Sequence, residues 1–345
     1  MTAPTVPARP DEDASPRPVP WRRMAWVTWR QHRFALAGVA ALLGALAVYL
    51  WLSGLQAHHD FAAAAACRPA SSYACGNLLD DFNNNYGARA EAVAGLLLAV
   101  PALIGAFVGA PVIGREMETG TFRYTWTQEF GRCRWALAKL VPLAVVVTAA
   151  AGAFSVLFTW YLQPFLADGN QTPLAPTVFG LRGLAFAAWT LAAFAIGAVA
   201  GMLIRRVVAA IAATLAVYAG LALAVMNFLR QHYLTPLVSR NLISPPASAW
   251  IISQWWTKGS TFIFAPWPPD IVQRQDCPDS SFGPDGPSLA GLTQCFVRHG
   301  YTRWTSYQPA SRFWPFQWIE GGWLLALSVL LIAATVWLVR RRAAG

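Results

Sequence analysis

Charge is what this chain has least of. Only 12% of its 345 residues are Asp, Glu, Lys or Arg, while 56% are hydrophobic. A soluble fold could not cover that much apolar surface with so little polar material. Lysine is nearly missing: Lys139 and Lys258 are the only two, and arginine carries most of a formal charge of +10. No soluble basic segment accompanies that excess, which excludes a nucleic-acid-binding domain. The chain also lacks a GxxxxGK[ST] loop to cradle nucleotide phosphates, and it has no GxSxG or HExxH arrangement. It is therefore expected not to be an enzyme. His58, His59 and Asp60 are the nearest approach to a metal cluster, but adjacent histidines at a helix end are poorly spaced for one site.

Long apolar runs are what the sequence has in abundance. Six reach the length of about twenty residues that a helix needs to cross a bilayer: Phe34–Leu55, Ala92–Ile113, Leu140–Leu162, Gly183–Ile204, Val207–Leu229 and Gly321–Val339. None has a formal charge in its middle, which argues against an intramembrane enzyme or an ion-coupled carrier. Glu91, Arg182 and Glu320 stand at segment ends, where water and headgroups are expected to solvate them. The seventeen tryptophans suit the membrane boundary.

Orientation follows from the positive charges. Residues 1–33 hold six arginines and 115–139 five Arg or Lys; Arg205, Arg206, Arg340, Arg341 and Arg342 bring one side to sixteen of the twenty-six. Both termini are expected to be cytoplasmic, with 56–91, 167–182 and 230–320 outside. Cysteine usage agrees with this, because disulfides persist in oxidising compartments. Cys67, Cys75, Cys277 and Cys295 fall outside and Cys133 inside. Two local bridges, Cys67–Cys75 and Cys277–Cys295, fit this distribution, although sequence leaves both the pairing and the fully reduced alternative open.

Smaller signals refine the plan. Residues 1–20, with six prolines, read as disordered. Residues 21–33 place Arg22, Arg23, Arg30 and Arg33 on one arc and Trp21, Ala25 and Trp29 on another, the pattern of an interfacial helix. Gly105 and Gly109 in "GAFVG", and Gly197 and Gly201 in "GAVAG", allow close approach of helix backbones, within the bundle or between subunits. Residues 250–270, "WIISQWWTKGSTFIFAPWPPD", are apolar but broken by Lys258, Gly259 and three prolines, and suggest a stretch lying on the outer leaflet or packing within the loop. Cys277 to Cys295 would close its more polar half into a lobe.

The one sizeable internal connection reads "GREMETGTFRYTWTQEFGRCRWALAKL". With its position after the second of six spans, this text resembles the permease subunits of ABC-2-type ABC transporters. Glu116, Glu118, Gly120 and Thr121 in "REMETGTFR" match an acidic pattern followed by Gly-Thr. The run "TQEFGRCRWALAKL", with Arg132 and Arg134, is similar to the return into the third helix. The stretches "WVTWRQHR" and "YQPASRFWPFQWIEGGWLLAL" resemble an actinobacterial subgroup. The long 230–320 segment departs from the small external loop of many members.

That resemblance implies an all-α membrane protein of six transmembrane helices. It has a cytoplasmic coupling helix between the second and third and, here, a large extracellular loop before the sixth. The expected parts are a disordered stretch 1–20, an interfacial helix 21–33, five helices over 34–229 with the coupling loop 115–139, an extracellular Pro/Trp-rich loop 230–320, and the sixth helix with a basic C-terminus over 321–345. It also implies a cytoplasmic ABC ATP-binding subunit and a second permease copy, homomeric or heteromeric, as partners, with membrane lipid around them. ATP and Mg would sit on the partner and no cofactor on this chain. Glu116, Glu118, Gly120, Thr121, Arg132 and Arg134 would meet the ATP-binding subunit, with Gly120 allowing a tight turn and Thr121 capping the next. The expected setting is a bacterial plasma membrane, and the expected cargo is hydrophobic or amphipathic: lipid, peptide or drug-like. The competing expectation is a non-transporting scaffold or sensor whose outer loop binds a ligand.

Overall fold

The computed structural model describes residues 21–69, 73–120, 132–169, 171–240, 248–264 and 289–341. Six helices in these segments are long and apolar enough to cross a membrane. They are α1 (Trp21–Ala66), α2 (Tyr73–Thr119), α3 (Arg132–Tyr161), α4 (Gly183–Ile204), α5 (Val207–Ala224, extended by further helical turns to His232) and α6 (Phe313–Arg341). An even number of crossings puts the described ends of α1 and α6 at one end of the bundle, with the α2–α3 and α4–α5 connections. The remaining connections lie at the other end.

Several helices outrun the apolar cores that predict them. The 46 residues of α1 would span about 69 Å at about 1.5 Å per residue, more than twice the hydrocarbon thickness of about 30 Å. Residues 21–33 are the opening turns of α1, continuous with its apolar part. The expected outer loop 56–91 is likewise mostly helix, because α1 runs to Ala66 and α2 starts at Tyr73. Its polar residues are good enough helix formers once a disulfide joins the two ends. α6 begins eight residues before the expected Gly321. Residues 1–20 lie outside the described residues.

α4 is the centre of the bundle and packs against α2, α3, α5 and α6. Its Ala- and Gly-rich sequence lets four neighbours approach at once. In the most apolar window of α4, 61% of residues are buried, against 11% in α1 and 17% in α5. The outer helices therefore leave their Leu, Val and Trp side chains for lipid or another subunit. α2 is not uniform: Val100–Ile104 gives way to a π turn over Gly105–Gly109, then to α-helix over Ala110–Thr119. The π turn packs against α4.

Those glycines bring the backbones of α2 and α4 into direct contact. A Cβ on Gly105 would lie 2.5 Å from the Ala193 carbonyl oxygen, and one on Gly109 would lie 2.5 Å from that of Phe194. From the other side, a Cβ on Gly197 would meet the Ala110 nitrogen at 2.7 Å and the Gly109 carbonyl carbon at 3.0 Å. The two small-residue motifs thus face each other within one chain, backbone against backbone.

The segment between α5 and α6, expected as a loop, is partly a sheet. Strands β1 (Leu237–Arg240), β2 (Trp250–Lys258), β3 (Thr261–Ile263) and β4 (Thr302–Gln308) form an antiparallel sheet in the order β1-β4-β2-β3. Trp255 pairs with Trp304 in register and their rings stack at 6.4 Å. A small apolar nucleus of Trp256, Phe296 and Tyr301 joins β2 to the short helix Leu289–Arg298 and its C-terminal turn. The stretch from Trp250 to Lys258 therefore pairs with β4. Its backbone donors and acceptors are satisfied by neighbouring strands, as an extended apolar segment near a membrane requires.

Candidate functional site

At the end of the bundle that carries the start of α1 and the end of α6, α2 stops at Gly120, whose φ of +71° is the left-handed conformation of a helix C-terminus. The last turn before it is held from three directions. Glu116 forms an ion pair with Lys139 of α3, and both side chains are largely withdrawn from solvent. The ammonium group also lies over the Trp135 ring at 4.9 Å. Glu118 Oε2 accepts a hydrogen bond from the Val207 backbone N–H at 2.9 Å. Val207 opens α5, so this carboxylate satisfies an orphan donor and faces the positive end of a helix dipole. One turn earlier, Gly114 packs against Gly201 of α4, where an added Cβ would lie 3.2 Å from the Gly201 Cα.

Glu116 and Glu118 therefore do meet basic and backbone donor groups, but those of α3 and α5 within this chain. Gly120 closes α2 in the left-handed conformation, and the residues that would complete a turn there lie outside the description. Thr121 lies outside the described residues, and so does the segment 121–131 that would contain a coupling helix. Arg132 opens α3 and its side chain is likewise outside the description; Arg134 is half-buried in the first turn of α3. The α4–α5 turn beside this rim passes through Arg205, a non-glycine residue with φ of +59°.

At the opposite end lies a charged cluster that sequence reasoning missed. Glu320 of α6 and Arg230, in the last turns of α5, are both fully buried and form a bidentate pair: Nε to Oε2 at 2.9 Å and Nη2 to Oε1 at 2.8 Å. Trp189 of α4 donates Nε1–H to Glu320 Oε1 at 2.8 Å, and the Tyr233 hydroxyl donates to Oε2 at 3.1 Å. Each carboxylate oxygen thus accepts two hydrogen bonds, which is what makes a buried carboxylate tolerable. Arg230 also donates Nη1–H to the Pro176 carbonyl at 3.0 Å and lies over the Phe179 ring. Burial and the Glu320 carboxylate push the Tyr233 hydroxyl above its ordinary pKa, so it remains a donor.

Glu320 is thus not the solvated boundary residue expected from its position at the end of an apolar run. The available signal was an acid and a base of opposite sign at matching ends of two neighbouring spans. Nearby, Gln317 accepts the Ala185 N–H at 2.8 Å and donates to the Phe179 carbonyl at 3.2 Å, fastening α6 to the start of α4.

A disulfide joins Cys67, just beyond α1, to Cys75 in the first turn of α2, with Cα atoms 5.6 Å apart. Cys133 is a free thiol. Cys295 is also disulfide-bonded, while Cys277 lies outside the described residues. His58 stacks on Trp160, and Asp60 accepts hydrogen bonds from Tyr86 and the His59 ring. No group of three metal-binding side chains occurs among the described residues.

A family model described as ABC-2 membrane transporter related matches residues 40–230. The matched region runs from α1 to Arg230 and includes the glycine contacts and the α2–α3 rim, while the sheet and α6 lie beyond it. No curated protein and no solved structure matches the chain.

Proposed function

Since this chain belongs to the ABC-2 membrane transporter related family, we propose that it is the permease subunit of an ATP-driven exporter, paired with a second permease copy and two cytoplasmic ATP-binding subunits. The chain supplies the multi-pass membrane component. Nucleotide and Mg belong to the partner, whose closure on ATP is delivered through the α2–α3 connection.

The observation that carries this proposal is how that connection is anchored. Its α2 side is tied by Glu116 to α3 through Lys139 and by Glu118 to the first residue of α5, while Gly114 abuts α4. A displacement of the connection would therefore reach four helices together, which is how a local push becomes a change between two bundle arrangements. In this scheme the two glutamates are positioning residues that stiffen the lever, and the contact with the partner is made by the residues that follow Gly120. In two pairs, Glu116 with Lys139 and Arg230 with Glu320, buried charges neutralise each other, and the faces between helices offer mainly aromatic and small apolar side chains. That favours a hydrophobic or amphipathic cargo over an ion or a sugar.

The test is affinity purification of the tagged chain in mild detergent, with the native 115–139 segment and with that segment replaced by a Gly/Ser linker. Co-purification of an ATP-binding subunit with the native chain alone is the expected result. If no ATPase accompanies either form, the proposal fails, and binding of ligands to the sheet domain becomes the question to ask.

A further inference from the structure

At the sheet end of the bundle, a groove of about 500 Å³ opens between α3, the start of α4 and the start of α6. This volume lies within the range of about 300–1,000 Å³ common for small-molecule sites. Its walls are Gly152, Val156 and Ala187 with Leu184 and Trp314, and its one charged group is Arg182. Val156 and Trp314 are exposed, at 71% and 56%, so the groove is open on its lipid-facing side. From Thr159 to Gly152 it descends seven residues of α3, about 10 Å along the helix, away from the interface and toward the hydrocarbon.

Arg182 is the unusual feature. Its guanidinium lies over the Phe313 ring at 4.8 Å, and its Nε and Nη1 are buried with no hydrogen-bond partner among the described residues. The buried carboxylate of α6, Glu320, is engaged by Arg230, and the Gly183 carbonyl accepts from Ser155. Burial pushes the Arg182 pKa down to about 10, so the group still carries its charge at neutral pH. A buried cation with idle N–H donors is unfavourable until an acceptor arrives. The planar fork of a guanidinium matches the oxygens of a phosphate.

We infer that this groove is a binding site for an anionic phospholipid, with its phosphate on Arg182 and an acyl chain lying against Val156, Leu184 and Ala187. Two observations select this occupant. The cation stands at the interfacial end of the groove, where a headgroup lies, and the remainder is mainly apolar and open toward the bilayer, where a chain enters; its two hydroxyls, on Ser155 and Thr159, donate to the Gly183 and Ser155 carbonyls. The inference needs only that the chain spans a bilayer. It does not depend on an ATP-binding partner, so it can fail or survive separately from the transport proposal.

The full-length chain, without nucleotide, is reconstituted into nanodiscs containing equal phosphatidylglycerol and phosphatidylcholine. It is then extracted in mild detergent, and the retained lipids are quantified by mass spectrometry. The parent is expected to retain phosphatidylglycerol in preference to phosphatidylcholine, and Arg182→Gln to reduce that preference about tenfold, the scale of one lost charge-assisted contact. Ala187→Phe, which fills the apolar part while keeping the cation, is expected to reduce it as well. Arg205→Gln, at the other end of the bundle, serves as the control and should leave it unchanged. Unchanged preference in Arg182→Gln, or an equal loss in Arg205→Gln, overturns the assignment. Retention in Ala187→Phe together with displacement by inorganic phosphate would show a free-anion site and overturn the lipid.

Discussion

Gly197→Ala adds one methyl group at the point where α2 and α4 come closest. The new Cβ would lie 2.7 Å from the Ala110 nitrogen and 3.0 Å from the Gly109 carbonyl carbon, with the Gly105 oxygen nearer still. Ordinary contact between heavy atoms is about 3.5–4.0 Å, so the two backbones must part by roughly 1 Å. All three obstacles are main-chain atoms, and no side-chain rotation can relieve them. Separation at Gly197 also loosens the contacts of Gly105, Gly109 and Gly201 on the same seam. Overpacking of a well-filled interior costs about 1–3 kcal/mol, and here the upper part of that range is expected. The assay is thermal unfolding of the purified chain in one detergent, with Gly220→Ala as the reference. Gly220, in α5, has nothing within 4 Å of an added Cβ, and Ala is the better helix former. Gly197→Ala should unfold well below the parent, and Gly220→Ala at or above it. If the two variants unfold together at the parent temperature, the backbone contact between α2 and α4 is not what holds these helices.

Glu320→Ala should destabilise the chain by about 3–5 kcal/mol, because it leaves the Arg230 guanidinium buried without its counter-ion. Unfolding of Arg230→Met with Glu320→Met should show less loss than the two single changes added together, since the pair acts as a unit. Additive losses would refute the pairing. Removing the Cys67–Cys75 bridge with Cys67→Ser and Cys75→Ser should lower stability by about 2–3 kcal/mol. The α1–α2 turn should also become cleavable by added protease, and unaltered resistance would count against the bridge. Glu118→Ala should cost about 1 kcal/mol and Glu118→Gln distinctly less, because Gln keeps an acceptor for the Val207 N–H. Amide exchange at Val207 reads this directly, and equal exchange in both variants would remove Glu118 from the α5 cap.

The six apolar stretches were sufficient in themselves to place six spans, because a hydrocarbon slab selects length and hydropathy and little else. The Cys67–Cys75 bridge was legible for a similarly local reason: eight residues of sequence separate its ends. Gly105 with Gly109 and Gly197 with Gly201 could be recognised as contact faces from their four-residue spacing. That one motif packs on the other, and that a π turn forms there, was decided when α4 took the centre of the bundle.

What the tertiary structure alone decided are the partners of charges that are far apart in sequence. Glu118 caps a helix 89 residues later, and Arg230 meets Glu320 across 90 residues. In one dimension each charge stands at the end of an apolar run and looks ready for water. In the fold the ends of α5 and α6 converge with the Pro176–Phe179 turn and Trp189, which exclude solvent and supply donors. β2 escaped notice for a related reason. Its nine residues lack a clean alternation of buried and exposed positions and fully bury only Trp256, so no period of two marked it as a strand. Hydropathy is a property of each segment alone. Pairing depends on which segments meet, and that is determined by how closely α4 allows its neighbours to approach.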